Sequence, residues 1–528
     1  MNTIQRNMSL TGEPPKTINT QQKLASALGL IGLTVLFLAL FNINFPNKTL
    51  WLTASLLAIG GGTIWFSIAA YSQKHEGIKN DGVFFKSLTS RGVWAWVLGI
   101  TLTLFYVVLY WFPHYLGLTA NGPNTGIVAL FDPLSQLLNG GPASQWFVYG
   151  TLYTLAILSF GIKFILKYRH NKYEKIRTFS VMFFQLGFAF LIPELMQRLN
   201  SDSFSLPYYD LKNIWPLNYY NFEQYRVDQF ISAGDIGVAL LIFGIVSIFI
   251  ITPILTYKYG KRWYCSWVCG CGGLAETAGD PFRHLSDKSL FAWKVERWVI
   301  HSVLVFVVLM TTAVVHSYLG DDASKYWLTK DVFLISVATI LTLVFAGTFI
   351  FKRDALQKDA KLGAIGYFII IMALFGLHFA SGVKLFLFDA ETLRSTYGFL
   401  IGAVFSGVIG VGFYPIFGSR VWCRFGCPMA AVLGFQQRLF SRFRITTNGG
   451  QCISCGNCST YCEMGIDVRA YAQKGENIVR SSCVGCGICA AVCPRGVLKL
   501  ENGPLENRIN SNEILLGNDV DFMKYVNR

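Results

Sequence analysis

Apolar residues along the chain gather into ten runs, each close to the ~20 residues that span a hydrocarbon core about 30 Å thick as a helix. They cover approximately 24–41, 50–70, 93–112, 146–166, 179–195, 233–256, 299–318, 332–351, 363–380 and 397–417. The first run follows a polar stretch that ends at Lys23 with no cleavage-site pattern, so it reads as a span and not as a removable signal peptide. The last carries Gly398, Gly402, Gly407, Gly410 and Gly412, a spacing that allows close approach to a neighbour and equally suits a broken helix. After residue 445 the pattern turns polar.

Composition supports lipid as the solvent. Of 528 residues, 53% are hydrophobic and 14% charged, against about 25% charge in a soluble globule. A multidomain soluble protein and a disordered chain are both excluded. The net charge of +15 is unevenly spread. Segments 1–23, 71–92, 167–178, 257–298 and 352–362 hold 23 Lys and Arg, while the five alternate loops hold 8 and the loop 113–145 none. Basic loops stay in the cytoplasm, so a multi-pass protein of the inner membrane is expected, with both termini cytoplasmic. The charge sets orientation, the bilayer is the partner it implies, and nucleic acid is not.

Thirteen cysteines occupy only 265–271, 423–427 and 452–493, all on the reducing side of this topology. Such clustering suits a metal framework better than disulfides. Cys452, Cys455, Cys458, Cys462 and then Cys483, Cys486, Cys489, Cys493-Pro494 each repeat C-x2-C-x2-C-x3-C. Three thiolates in a tight loop can take three corners of a cubane, and the fourth points away to cap the other cluster. One [4Fe-4S] cluster is therefore expected on Cys452, Cys455, Cys458 and Cys493, and a second on Cys483, Cys486, Cys489 and Cys462. Paired zinc knuckles are the competing structural reading. Glu463 stands where the second run has Pro494, and is expected to add charge beside the second cluster and lower its potential.

The other five cysteines follow two outward-to-inward spans. Arg262-Trp263-Tyr264-Cys265-Ser266-Trp267-Val268-Cys269 and Arg420-Val421-Trp422-Cys423-Arg424-Phe425-Gly426-Cys427 both read Arg-x-x-Cys-x-aromatic-x-Cys. As parallel copies they could face each other about a pseudo-twofold along the membrane normal. Cys265, Cys269, Cys423 and Cys427 are candidates for a third redox centre, a metal or Fe–S site, with Arg262, Arg420, Arg424 and the helix begun by Pro428 stabilising thiolate charge. Packing cysteines or a reversible dithiol are the alternatives. Cys271 has no counterpart in the second copy and reads as a spare or alternative ligand.

These paired Cys-x3-Cys words, followed by two ferredoxin runs, resemble the membrane ferredoxins of the NapH and NosR type over approximately 233–500. The resemblance implies quinol oxidation in support of periplasmic reductases, and so a quinol dehydrogenase-type oxidoreductase subunit. It leaves the first five spans unmatched. Gly270 stands where that family usually has proline after the first pair, and no segment matches the extracytoplasmic flavin domain of the NosR type. The cysteines also resemble FixG-type oxidase assembly proteins, which handle copper, but those usually continue beyond the ferredoxin, whereas this chain ends about 35 residues after Cys493.

Ionisable and polar side chains within spans are functional suspects. Glu194, Gln185 and Lys163 qualify, and His316 and His378 sit near the outer ends of their spans, where they could meet. A quinol site needs such groups to take its protons; plain hydrogen bonding at the interface is the bland alternative, and a bis-His haem the less favoured one. His301, fifteen residues before His316, lies about 22 Å from it along a helix, too far to share a haem. Walker, dinucleotide, HExxH and serine-nucleophile patterns do not occur in a convincing context.

The expectation is an all-α polytopic membrane protein of about ten transmembrane helices with a C-terminal α+β bacterial 2[4Fe-4S] ferredoxin domain. Its divisions are a cytoplasmic segment 1–23, five spans in 24–232, spans bearing both Cys-x3-Cys motifs in 233–445, the ferredoxin domain 446–502 and a tail 503–528. The expected function is electron transfer between the quinone pool and a redox partner protein. A copper reductase, an assembly factor or a redox regulator for a respiratory oxidase is the alternative.

Overall fold

The computed structural model describes residues 18–72, 86–200, 205–320, 326, 328–448, 451–503, 515–516 and 520–521. The start of the expected N-terminal segment and most of the tail lie outside these. Among the described residues, ten helices are long and apolar enough to cross a membrane: α1 Thr20–Leu40, α2 Lys48–Tyr71, α3 Val93–Trp111, α4 Gln145–Lys167, α5 Lys172–Arg198, α6 Gly234–Tyr259, α7 Leu290–Tyr318, α8 Lys330–Phe351, α9 Lys358–Ser381 and α10 Ala390–Ile409. Each overlaps one apolar run. Helices α5, α7 and α10 start earlier than their runs because turns carrying charged side chains, such as Lys172, Glu296 and Arg394, continue the helix past the apolar stretch.

Local sequence explains the irregularities. Turns widen over Phe184–Leu191 in α5 and Ser247–Ile251 in α6, just ahead of Pro193 and Pro253. A proline ring clashes with the carbonyl four residues back, and a wider turn relieves that clash. The last apolar run is a broken helix. Helix α10 stops at Ile409, and the chain turns before a short helix over Tyr414–Phe417. Gly407 lets α10 press on α3, since a Cβ there would lie 2.7 Å from Tyr106 Cδ1.

Two connections fold into the bundle. Between α5 and α6 the chain over 205–223 re-enters, burying Tyr209 and Ile214. It is pinned by Tyr264 Oη donating to the Lys212 carbonyl (2.7 Å) and by Trp215 Nε1 donating to Thr311 Oγ1 (2.9 Å). The expected outer loop is thus partly an internal segment. Between α6 and α7, helices Arg262–Cys265 and Gly270–Thr277 and a turn over Asp280–Leu285 pack against α4 and α5.

The C-terminal domain has a two-stranded antiparallel sheet, β1 Arg444–Thr447 with β2 Leu498–Glu501, in register from Arg444↔Glu501 to Thr447↔Leu498. Short helices Asn457–Thr460, Val468–Lys474 and Ile488–Ala491 complete it. It sits on the bundle face that carries the basic connections: Tyr173 Oη donates to the Gly485 carbonyl (2.8 Å), Ser286 Oγ to the Glu463 carbonyl (2.7 Å), and Gln437 Nε2 to the Cys483 carbonyl (2.8 Å). The fold is the helical membrane protein with a ferredoxin domain that the sequence leads one to expect.

Candidate metal centres

In the C-terminal domain the thiols form two groups. Cys452, Cys455, Cys458 and Cys493 line one small hollow with Gly456 and Pro494. Burial, with Cys493, Cys455 and Cys452 adding their charge, pushes Cys458 up to about 12. Cys489 is raised by burial and by Cys486, Cys483 and Cys462, with Cys458 a further neighbour. The fourth cysteine of each run therefore stands with the first three of the other.

Left-handed glycines make these loops possible: Gly456, Gly485 and Gly487 have φ of 80°, 63° and 91°. A Cβ on Gly487 would lie 2.4 Å from Glu174 Oε1, so this loop also needs glycine to dock. The Ile466 amide donates to Cys462 Sγ (3.4 Å), a contact that favours thiolate. Four convergent thiols, glycine-wrapped loops and an amide aimed at sulfur fit a cubane in each group. Iron would displace thiol protons that burial holds on in its absence.

The five membrane-edge cysteines form a third group in the same core. Cys427 is raised by burial and by Cys423, Cys265 and Cys269. Cys265 is pushed up to about 12 by burial, with Cys269 and Cys423 adding and Lys261 and Arg420 opposing. Cys423 also lies within electrostatic reach of Cys269. All four candidates for a third centre are thus neighbours.

Cys269 and Cys427 each occupy the N-cap of a following helix, Gly270–Thr277 and Pro428–Phe440. The Ala430 amide donates to Cys427 Sγ (3.4 Å). Gly270 is thereby the positional equivalent of Pro428, and its lack of a side chain has a cause. A Cβ there would lie 2.4 Å from Gln185 Oε1 and 2.8 Å from Lys212 Nζ.

Cys271 is drawn in as well. Its hydrogen bond to Cys269 holds the Cys269 thiol low and pushes Cys271 high. Lys212, buried on the re-entrant segment and bonded to Gln185 Oε1 (2.9 Å), supplies positive charge to Cys269. Sequence reasoning missed Lys212, because it sits in what looks like an outer loop. Of the three arginines expected to serve this group, Arg420 does: its Nη1 lies 3.6 Å from Cys423 Sγ and 3.2 Å from the Cys265 carbonyl. Arg262 instead stacks on Phe443 and Tyr173, and Arg424 pairs with Glu296 (2.6 Å).

A buried ion network joins the groups. Arg420 pairs with Glu463 (3.0 Å) and Glu276, Arg283 with Glu463 (3.2 Å) and Asp280 (3.1 Å), Lys167 with Asp280 (2.7 Å), and Arg177 with Glu174 (2.7 Å) and Glu276. Burial alone would raise Glu463, but Arg420, Arg283 and Arg177 outweigh it and hold the carboxyl below its ordinary range. The expected free charge beside the second group is therefore compensated. Glu276, Glu463 and Cys486 bring ligand atoms within 4.8 Å of one another, yet guanidinium groups already engage both carboxylates.

The weaker candidates lie elsewhere. His316 and His378 do meet, with ring centroids 5.1 Å apart, at the ends of α7 and α9 opposite the ferredoxin domain. Glu194 accepts from Asn139 Nδ2 (2.8 Å) and Tyr208 Oη (3.4 Å).

Residues 451–498 match the family described as a 4Fe-4S dicluster domain, and residues 241–289 and 399–446 each match a 4Fe-4S binding domain. A protein of Escherichia coli (strain K12), YccM, whose name proposes electron transport, is 25% identical over 208 residues, 39% of this chain and 43% of that protein. An uncharacterized protein of Methanocaldococcus jannaschii is 26% identical over 179 residues, 33% of this chain and 65% of that protein. No solved structure matches the chain. The chain carries 4Fe–4S binding modules, the machinery of iron–sulfur electron transfer, on a multi-pass membrane scaffold.

Proposed function

We propose that the protein passes electrons between the quinone pool and a redox partner in the inner membrane, as the NapH and NosR type does. Two [4Fe-4S] clusters would be held by Cys452, Cys455, Cys458 and Cys493 and by Cys483, Cys486, Cys489 and Cys462. A third centre would be held by Cys265, Cys269, Cys423 and Cys427. When bound, each cluster carries one electron at a time. The observation that carries this reading is the gathering of thirteen thiols into three groups, two sharing a domain and the third linked to them through Arg420.

The chain's own part is to hold and tune. Amides of Ile466 and Ala430 donate to sulfur, Arg420 offsets thiolate charge, and burial excludes water. Iron, acid-labile sulfide and EPR of anaerobically purified protein test it. About twelve irons per chain are expected from three cubanes, and about eight would deny the third. A colourless protein containing zinc would overturn the proposal.

The fifth thiol favours a second reading. Cys271, hydrogen-bonded to Cys269, gives the membrane-edge group one thiol beyond the four ligands one cubane needs, and with Cys269 it forms a dithiol. That suits a copper reductase, an assembly factor or a redox regulator. Copper binding abolished by Cys423→Ala, with no bleaching by quinol, would select it.

A further inference from the structure

A cavity of about 480 Å³ opens where the ferredoxin domain meets the near ends of α7 and α9, and its walls include Trp293, Arg297, His301, Arg438, Asn477 and Arg480. We propose that this cavity binds a quinol head group, with His301 accepting a hydroxyl proton and Arg480 donating to the opposite oxygen. The proposal rests on the quinone-coupled reading above and gives that reading a site. It lies across the bundle from the His316–His378 pair, and Glu194 takes no part in it.

The polar groups in the walls are already sorted into donors and acceptors. His301 Nδ1 lies 2.6 Å from the Arg297 carbonyl, which can only accept, so Nδ1 carries the hydrogen and Nε2 keeps a free lone pair. Arg297 is engaged by Gln357 and Asp359 through its Nη1 and Nη2, with its Nε alone unpaired. Arg480 is not: its Nε and Nη2 are buried without a hydrogen-bond partner, and so is Asn477 Oδ1. Buried donors left unpaired are costly, and a ligand that pairs them accounts for their presence. Both guanidinium groups stack on the Trp293 ring, Arg480 at 4.1 Å and Arg297 at 4.5 Å from its centroid, which holds Arg480 in place at the cavity wall.

The complement of this set is a molecule with both a hydroxyl to give and an oxygen to accept. A hydroquinone has both. A lipid phosphate only accepts, leaves His301 Nε2 and Asn477 Oδ1 unused, and meets Glu476 at the exposed rim. Leu290 and Phe291, in the first turn of α7 one turn before Trp293, are exposed apolar side chains against which a tail can lie. The electron acceptor is close, since Arg480 feels the charge of Cys462 and acts on that of Cys483, both of the second thiol group.

Oxidising one quinol to quinone breaks two O–H bonds and yields two protons and two electrons. His301 Nε2 takes the first proton, and the second leaves past Glu476 to water. The two electrons would leave one at a time, through the cluster that Cys483, Cys486, Cys489 and Cys462 would hold.

The test uses full-length protein in detergent with decylubiquinone and menadione, and their reduced forms as donors. Binding of the oxidised analogue is followed by calorimetry, and bleaching of iron–sulfur absorption after quinol addition by stopped flow. His301→Leu and Arg480→Leu should each weaken binding and slow bleaching at least about tenfold, with iron content and the dithionite-reduced EPR spectrum unchanged, and Arg480→Lys should recover part of both. Ala360→Phe fills the cavity without removing a polar group and should have the same effect. Wild-type binding and bleaching in all these variants would refute the site while leaving the quinone reading intact. If neither analogue binds or bleaches the wild-type protein, the quinone reading fails and the site with it. A co-purifying anionic lipid lost from Arg480→Leu, with unaltered quinol kinetics, would also overturn the proposal.

Discussion

Arg420 is one side chain serving two thiol groups: 3.6 Å from Cys423 Sγ in the membrane-edge group and 3.0 Å from Glu463, the neighbour of Cys462. Removing one partner from a buried pair strands the other charge, at a cost of about 3–5 kcal/mol. Arg420→Met is therefore expected to lower the melting temperature by several degrees and to loosen the iron proposed for both regions, as thermal unfolding and metal analysis would record. Arg420→Lys should recover only part, because one ammonium cannot replace a fork. The same network sets an acid limit. Glu463 and Asp280, against the pull of burial, are held below the ordinary carboxylate range by their cationic neighbours. A depressed carboxyl contributes its full stability above its unfolded pKa, about 4.3 for Glu, and loses it as pH falls through the folded value. The melting temperature should thus be insensitive to these groups near neutrality and fall below about pH 4, with a weaker fall in Glu463→Gln. Not all of this was legible. The eight ferredoxin cysteines announce themselves within two short windows, whereas Glu463 finds Arg283 about 180 residues away, a separation no local pattern encodes.

At the scale of elements, spans were readable because lipid demands one property over ~20 residues, and every apolar run holds a helix long enough to span, the last one breaking after Ile409. The re-entrant 205–223 segment was not. Its mixture of Tyr, Trp, Asn and Pro has neither a helical nor an alternating period, so it resembles an exposed loop while burying Tyr209 and Lys212. Non-helical backbone at that depth must have its polar groups met by protein, and Tyr264 meets one of them at the Lys212 carbonyl. Tyr264→Phe should cost about 1–3 kcal/mol for the carbonyl left unsatisfied, visible as a lower melting temperature. Gly270→Ala attacks the same junction from the other side. Its Cβ would press on the tips of Gln185 and Lys212, which are flexible, so the expected loss is modest, about 1–2 kcal/mol. With the proposed third centre in place, its EPR signal should be perturbed as well, while signals from the C-terminal domain stay unchanged.

For the whole molecule, charge and contact agree on which surfaces share a side. The ferredoxin domain touches Tyr173, Lys261 and Ser286, and Arg438 beside it reaches the Ala355 carbonyl (3.0 Å), so the connections near 172, 261, 286 and 355 lie with it on one face. These belong to the basic-rich set, and the loop 113–145, with no Lys or Arg, belongs to the other. Positive charge resists translocation, so the ferredoxin face should be cytoplasmic. The thirteen cysteines supply a built-in control, because all of them fall within segments assigned to that face. A membrane-impermeant maleimide added to intact cells should leave the native protein unlabelled. It should label Asn121→Cys, which is exposed on the opposite side. After permeabilisation of cells stripped of metal, the exposed Cys455 should react as well. Labelling of native protein in intact cells, with Asn121→Cys protected, would invert the topology and put the thiol groups in an oxidising compartment. Disulfides would then compete with iron for every ligand, and electron transfer through these cysteines would lose its physical basis.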